Sequence, residues 1–233
     1  MEMNSGSLKN TARTAGLLYL FLIISGVFGI MYIPSQIVVS GDSGSAAQNI
    51  MSNELLYRFG VLNDIISNTI FLVLAFVLYR LLKSVNENLA KIMLALVIVQ
   101  IPCVFFMEAL NVTSLMILKS ELLKTLELSQ RQDLAILLIK ISEYGTLPLE
   151  MFWGLWLLPF GILVYKSEFI PRIFGILLVI GGIAYMNDST IGILFPDYSS
   201  VVEYPTLLLV SIGEFSIMLW LLIKGVKTEE QKV

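Results

Sequence analysis

Residues 92–111 read IMLALVIVQIPCVFFMEALN, twenty consecutive positions in which Glu108 is the one charged side chain. A helix needs about 20 mainly apolar residues to cross the hydrocarbon core of a bilayer. Water-soluble helices keep a polar face and do not show an apolar run of this length. The segment therefore predicts a membrane-spanning helix.

Five further stretches of the chain have the same apolar character and comparable length. The sequence predicts an all-α, polytopic membrane protein, a bundle of six transmembrane helices in a single integral-membrane domain that covers residues 1–233. The predicted spans are residues 15–39, 59–82, 92–111, 146–165, 173–195 and 206–223.

The composition agrees with this class of protein and excludes others. The 233 residues are 57% hydrophobic and 14% charged, with a mean hydropathy of +0.83, whereas a soluble domain is about 45–50% apolar and about 25% charged. A net charge of −3 without a basic stripe argues against a nucleic-acid partner and leaves the lipid bilayer as the expected one. The absence of histidine and a single cysteine, Cys103, exclude histidine-based acid–base chemistry, the usual zinc sites and an internal disulfide.

The basic residues next to the spans predict the orientation, because cytoplasmic loops carry an excess of Lys and Arg. Ten basic residues fall on one side and five on the other when the spans alternate in direction. The ten are Lys9, Arg13, Arg80, Lys83, Lys91, Lys166, Arg172, Lys224, Lys227 and Lys232. We therefore expect a multi-pass protein of the cell (plasma) membrane with both termini in the cytoplasm.

Two longer connections, residues 40–57 and 112–144, are predicted to form a small helical extracellular cap. In the first, Asp42 or Ser43 is placed to cap a short helix that runs on through Ile50 and Leu55. In the second, leucines recur at helical spacing among charged residues, which predicts a helical hairpin that extends spans three and four and turns near Ser129–Gln132.

The most informative feature is one acid in each of five predicted spans. A charge at the bilayer centre costs about 2.5–3.5 kcal/mol on insertion scales, so five acids at a similar depth are expected to face one another or water. We predict one outward-facing, acid-lined pocket, with Asn68 and Asn111 orienting the carboxyl groups and with kinks at Pro102 and Pro148 opening a cavity under the cap. The predicted ligand-binding acids are Asp64, Glu108, Glu150, Asp188 and Glu214.

Such a pocket has three chemical uses: binding a hard cation through oxygen ligands, binding an organic cation, or passing protons. Five aromatic residues near the acids are candidate faces for an ammonium ligand, although the default role of such residues is in the interfacial belt or in packing. They are Tyr144, Trp153, Trp156, Tyr185 and Tyr204. The leading hypothesis is a binding protein for a cation or small cationic solute, with transport or proton coupling as a consequence.

Two alternatives stay open. A membrane-embedded lipid hydrolase or transferase would use paired carboxylates as acid and base. A structural or sensory partner protein would use the cap to meet another protein and the acids as buried polar contacts. No catalytic, metal or cofactor motif is present in the sequence, so enzyme activity, a metal and a cofactor are not assigned.

Several short segments, taken in order, resemble a known family. They are RTAGLLY at residues 13–19, LYRFG at 56–60 followed by Asn63 and Asp64, IPRIFGIL at 170–177, and Gly213-Glu214 with LWLL at 219–222. Over about residues 10–225 the chain is similar to the prokaryotic membrane-protein family described as domain of unknown function DUF4386. The resemblance implies a multi-span membrane protein of a bacterium or archaeon and implies no activity.

Overall fold

The computed structural model describes residues 5–37 and 42–226, which are helical nearly throughout and contain no strand. In chain order the elements are α1 (Ser5–Gly26), a π-helical segment (Val27–Tyr32), α2 (Ile33–Gln36), α3 (Ser43–Ser52), α4 (Glu54–Leu82), α5 (Glu87–Leu118), α6 (Leu128–Lys166), α7 (Arg172–Leu194), a 3₁₀ turn (Pro196–Tyr198) and α8 (Ser199–Ile223). The predicted all-α class is confirmed.

Six helical stretches of the described residues are long and apolar enough to cross a membrane. They are Gly6–Gln36, Glu54–Leu82, Glu87–Leu118, Leu128–Lys166, Arg172–Leu194 and Pro196–Ile223. Each includes one of the six predicted spans almost completely. The 39 residues of α6 correspond to about 58 Å at 1.5 Å per residue, well beyond a hydrocarbon core of about 30 Å. The orientation of the termini stays a prediction.

The chain divides into two compact units. Unit 1 contains the described residues of Met1–Phe21, Ile70–Gln100 and Leu147–Val233, and unit 2 contains those of Leu22–Thr69 and Ile101–Thr146. Helices α1, α4, α5 and α6 contribute residues to both units.

In unit 1, the packing of α6 on α7 depends on glycines that let the two backbones approach closely. A Cβ atom added at Gly175 would lie 2.5 Å from the carbonyl oxygen of Gly161 and 2.6 Å from the backbone nitrogen of Tyr165. Gly154 and Gly182 form a second contact of the same kind. Small residues at helix contacts are the usual means of close packing in membranes.

In unit 2, the short helix α3 packs against the adjoining ends of α5 and α6. Ile37, Ile50, Leu115 and Ile139 form a buried cluster, and Leu118 is packed against it. The helix that residues 40–57 were expected to contain is therefore present as α3, and it ends at Ser52 so that Leu55 lies in α4.

Asp42 caps the N-terminus of α3. Its Oδ1 accepts a hydrogen bond from the backbone N–H of Ser45 at 3.0 Å, and its Oδ2 accepts one from the Ser45 hydroxyl at 2.8 Å. These bonds stabilise the charged carboxylate, so they hold the pKa of Asp42 below its usual value. A depressed pKa means that the stabilisation is present above the unfolded-state pKa and is lost as the pH falls through the folded-state pKa.

Replacing Asp42 with Ala is expected to make the backbone amides of the first turn of α3 exchange with solvent several-fold faster at neutral pH, because the cap is lost. Hydrogen–deuterium exchange of an α3 peptide measures this. The difference between the variant and the wild type should close at a pH below the folded-state pKa of Asp42. Asp133→Ala, an exposed acid of α6, is the matched control. Equal exchange rates in Asp42→Ala and the wild type at neutral pH would contradict the capping role.

The turn between α5 and α6 lies at residues 119–127, so its expected position near Ser129–Gln132 is wrong. The N–H of Glu121 bonds to the carbonyl of Met116 and that of Ser120 to the carbonyl of Ile117, and Ser120 has a φ of 60°. This is a Schellman ending for α5. Gln130 then accepts a hydrogen bond from the N–H of Glu127 at 3.1 Å, as in a capping box, and starts α6.

The prolines do not interrupt their helices. Pro102 lies inside α5, and Pro148 and Pro159 lie inside α6. Kinks were expected at Pro102 and Pro148; α6 begins twenty residues before Pro148, at Leu128, and continues past it. A proline in a long helix removes one backbone hydrogen bond, and a helix with turns on both sides continues through it.

Candidate functional site

Three of the five predicted acids act on one tyrosine in unit 1. Glu150 of α6, Asp188 of α7 and Glu214 of α8 each interact electrostatically with the Tyr185 hydroxyl. Tyr185 and Asp188 are three positions apart and therefore lie on the same side of α7. We call Tyr185 and these three acids the Tyr185 cluster.

Tyr19 of α1 adds a polar group to the cluster. Its side chain is fully buried, and its hydroxyl interacts electrostatically with Glu214 and Tyr185. The hydroxyl lies beside the Glu214 carboxyl but has no hydrogen bond of normal distance and angle in the described part of the chain. The Tyr19 hydroxyl and the Glu214 carboxyl therefore interact without forming a close hydrogen bond.

Three carboxyl groups, those of Glu150, Asp188 and Glu203, interact electrostatically with one another. The electrostatic partners of Glu150 are Asp188 and Glu203, and Glu203 also acts on Asp188. Thr206 of α8 interacts with Asp188 and donates a hydrogen bond to the carbonyl of Ala184 at 3.5 Å. Charged carboxylates that act on one another repel, and a cation placed among them would relieve the repulsion.

An apolar groove of about 370 Å³ runs along α7 and α8 in unit 1 and borders the cluster. Thr206 connects the two features, because it lines the groove and interacts with Asp188. The remaining walls include Ile180, Ile183, Ala184, Pro205 and Leu209.

Two of the five predicted aromatic residues, Trp153 and Tyr185, pack against each other in unit 1, and Tyr185 interacts with the acids. Trp153, one helical turn after Glu150 on α6, packs edge-on against Tyr185 with ring centroids 5.6 Å apart. Trp156 instead packs against Phe71 and Phe160 in the core. Tyr144 and Tyr204, the other two predicted aromatic faces, are 69% and 75% exposed.

In unit 2, Asp64 belongs to a hydrogen-bonded polar network. Asn63 donates to the Asp64 carboxylate at 3.1 Å and to the backbone carbonyl of Ser25 at 3.2 Å. The Ser25 hydroxyl bonds to Asn63 at 2.6 Å and also to the Ser67 hydroxyl. Asn68, the amide expected to orient Asp64, donates to the backbone carbonyl of Asp64 at 2.9 Å. The amide that bonds to the Asp64 carboxylate is therefore that of the adjacent residue, Asn63, and not that of Asn68.

Glu108 is buried, with 5% exposure. Asn111 donates to its carboxylate at 3.2 Å, as the spacing predicts. Tyr57 of α4 interacts electrostatically with Glu108, and its hydroxyl oxygen lies 3.3 Å from that of Ser114. Asp64 also acts on Glu108, so these two acids form a second, smaller group within unit 2.

The comparison with known protein families gives one match. The model of the family described as a domain of unknown function, DUF4386, matches residues 14–225, nearly the whole chain. The chain belongs to this family. No curated protein and no solved structure matches it. Membership in the DUF4386 family confirms the resemblance seen in the sequence and assigns no activity.

In this DUF4386 protein the five acids are thus found as a group of three in unit 1 and a pair in unit 2. Among residues 5–37 and 42–226, no three His, Cys, Asp or Glu side chains are arranged to hold a metal ion. The described cavities of about 310, 140 and 370 Å³ have none of the five acids in their walls. A single chamber that contains all five stays a prediction.

Sequence reasoning missed several residues that take part in these groups, among them Tyr19, Ser25, Tyr57, Ser67, Glu203 and Thr206. One pattern could have located the Tyr185 cluster more sharply. Glu150 and Trp153 on α6, and Tyr185 and Asp188 on α7, are two acid–aromatic pairs at a spacing of three residues, which places each pair on one helix face. Tyr19 carries no such signal, because a tyrosine in an apolar span is an ordinary packing residue.

Proposed function

We propose that this member of the DUF4386 family binds a small primary amine, in its protonated cationic form, at the Tyr185 cluster of unit 1. The observation that carries the proposal is the fully buried Tyr19 hydroxyl, which lies beside the Glu214 carboxyl without a close hydrogen bond to it. An ammonium N–H donor between these two groups would satisfy both of them.

The charges support a cation as the ligand. Glu150, Asp188 and Glu214 come from three different helices and all act on Tyr185. A positive charge among three acids gains Coulomb energy from each of them, and the effect is larger in a low dielectric than in water. The same charges repel an anion.

The aromatic pair supports an organic cation. The ring faces of Trp153 and Tyr185 attract an ammonium group in addition to the carboxylates. The apolar groove bordered by Thr206 and Ala184 offers a surface for a short hydrocarbon chain. An amine with a few carbons uses both features, whereas a bare metal ion uses neither.

The test is ligand-induced thermal stabilisation of the purified full chain in nanodiscs. n-Butylammonium is expected to raise the unfolding temperature saturably, and tetramethylammonium is expected to do so much less, because it has no N–H donor for Tyr19 and Glu214. Sodium and magnesium at equal ionic strength serve as the comparison ligands. A response to magnesium and tetramethylammonium that equals the response to n-butylammonium would overturn the amine proposal.

The matched variants are Glu150→Gln/Asp188→Asn and Glu143→Gln. The double variant is expected to lose most of the stabilisation by n-butylammonium while its unfolding temperature without ligand stays close to that of the wild type. Glu143 is an exposed acid that pairs with Lys140 at 2.6 Å, so Glu143→Gln should keep the full response. An unchanged response in the double variant would contradict the site.

Transport of the amine, or its coupling to protons, would follow from binding and belongs to the same proposal. The lipid hydrolase or transferase and the structural or sensory partner stay as alternatives. The first would be favoured by lipid turnover that Glu150→Gln/Asp188→Asn abolishes, and the second by an absence of any amine response.

A further inference from the structure

A cavity of about 310 Å³ lies in unit 2, and its lining contains none of the residues of the proposed amine site. It is formed by α3, the last turn of α5 and the first turns of α6. This volume is at the small end of the range of about 300–1,000 Å³ that ligand pockets occupy. Its lining includes Gln48, Met51, Leu118, Leu128, Arg131 and Gln132.

The cavity contains an arginine that lacks an ion-pair partner in the described chain. Three other cations of unit 2 are paired: Arg58 and Lys119 each have a side-chain nitrogen within 2.9 Å of Glu54 Oε1, and Lys140 Nζ lies 2.6 Å from Glu143 Oε2. No carboxylate of residues 5–37 and 42–226 pairs with Arg131, and its buried Nε has no hydrogen-bond partner there. A guanidinium is always charged and presents a planar set of donors that fits a carboxylate.

The surrounding groups favour the same kind of ligand. Gln48 and Gln132 bring two side-chain amides to the cavity, and each amide can donate hydrogen bonds. One acid close to Gly44 at the rim is Asp42. Both of its carboxylate oxygens are already bonded to Ser45 in the cap of α3.

The rest of the lining is apolar. Met51, Leu118 and Leu128 supply thioether and aliphatic surface opposite the polar groups. A ligand that matches the whole cavity has one anionic end and a short hydrocarbon chain.

We propose that this cavity binds a small aliphatic monocarboxylate. Arg131 holds the carboxylate, Gln48 and Gln132 donate to it, and the alkyl chain lies against Met51 and Leu118. The proposal does not rest on the amine site: it concerns other residues and a ligand of opposite charge.

The experiment is isothermal titration of sodium butyrate into the full chain in nanodiscs, with sodium chloride at equal ionic strength as the blank. Saturable binding is expected for the wild type and for Arg58→Gln, and binding at least tenfold weaker for Arg131→Gln. Arg131→Lys, which keeps the charge and loses the planar donor set, should fall between the two. Acetate should bind more weakly than butyrate, because it lacks the chain.

Four results would overturn the proposal. They are no saturable heat with butyrate in the wild type, equal affinity in Arg131→Gln and the wild type, equal loss in Arg58→Gln, and binding of inorganic phosphate without binding of butyrate. Glu214→Gln is expected to keep butyrate binding unchanged, so a failure of the amine site and a failure of this site are distinguishable.

Discussion

Replacing Glu214 with Gln is expected to weaken n-butylammonium binding by about 100-fold. Losing one partner of a desolvated, hydrogen-bonded charge pair costs about 2–5 kcal/mol, and each 1.4 kcal/mol is about a factor of ten in affinity. Glu214 is the acid beside the buried Tyr19 hydroxyl, so it contributes both charge and an acceptor. Equilibrium titration of n-butylammonium into the variant and the wild type in nanodiscs measures the change.

Tyr19→Phe tests the contribution of the Tyr19 hydroxyl to amine binding separately from that of the Glu214 charge. It removes one hydrogen-bonding group and keeps the buried ring, so we expect about a tenfold loss of affinity for n-butylammonium, from a hydrogen bond to a charged group worth about 1.5 kcal/mol. Its affinity for tetramethylammonium should not change. Equal losses for the two ligands would mean that Tyr19 acts by packing alone, and an unchanged affinity in Glu214→Gln would exclude Glu214 as a ligand.

Replacing Gly175 with Leu is expected to lower the stability of the protein by about 3 kcal/mol or more, at the upper end of the cost of overpacking. A Cβ at this position would lie 2.5 Å and 2.6 Å from backbone atoms of Gly161 and Tyr165. Backbone atoms cannot rotate away as a flexible side chain can, so α6 and α7 have to separate.

Denaturant or thermal unfolding of the purified protein measures the loss of stability in Gly175→Leu. Gly26→Leu in α1 is the matched control, because a Cβ at Gly26 meets no atom within 4 Å. The control should unfold at nearly the temperature of the wild type. A Gly175→Leu variant as stable as the control would show that the close approach of α6 and α7 does not hold unit 1 together.

The sequence predicts the six apolar helices well because the bilayer imposes a simple rule. Each span has to supply about 20 apolar residues and satisfy its own backbone hydrogen bonds, and both requirements are visible in a window such as residues 92–111. Helix ends outside the apolar window depend on local capping. α5 ends at Leu118, and Ser120 after it has a left-handed conformation. Glycine is the usual residue at such a position, so the sequence contains no strong helix-termination signal there.

The candidate site is predicted in part for a similar reason. An acid in an apolar span is visible in the sequence because its cost in lipid is high. Which acids share a group depends on helix rotation and packing, which periodicity cannot fix when the helices are apolar on all sides. Asn63 and Asn68 illustrate this: both are polar neighbours of Asp64, and Asn63 is the one that bonds to its carboxylate, while Asn68 bonds to the backbone.

The most direct test of the amine site is to locate a bound amine in a crystal structure by the anomalous signal of 3-bromopropylammonium. We expect a bromine peak in unit 1 near the groove lined by Thr206 and Ala184, with the ammonium end among Tyr19, Tyr185 and Glu214, and we expect this peak to be absent in Glu214→Gln. A peak elsewhere in the molecule, or one that persists in the variant, would contradict the account.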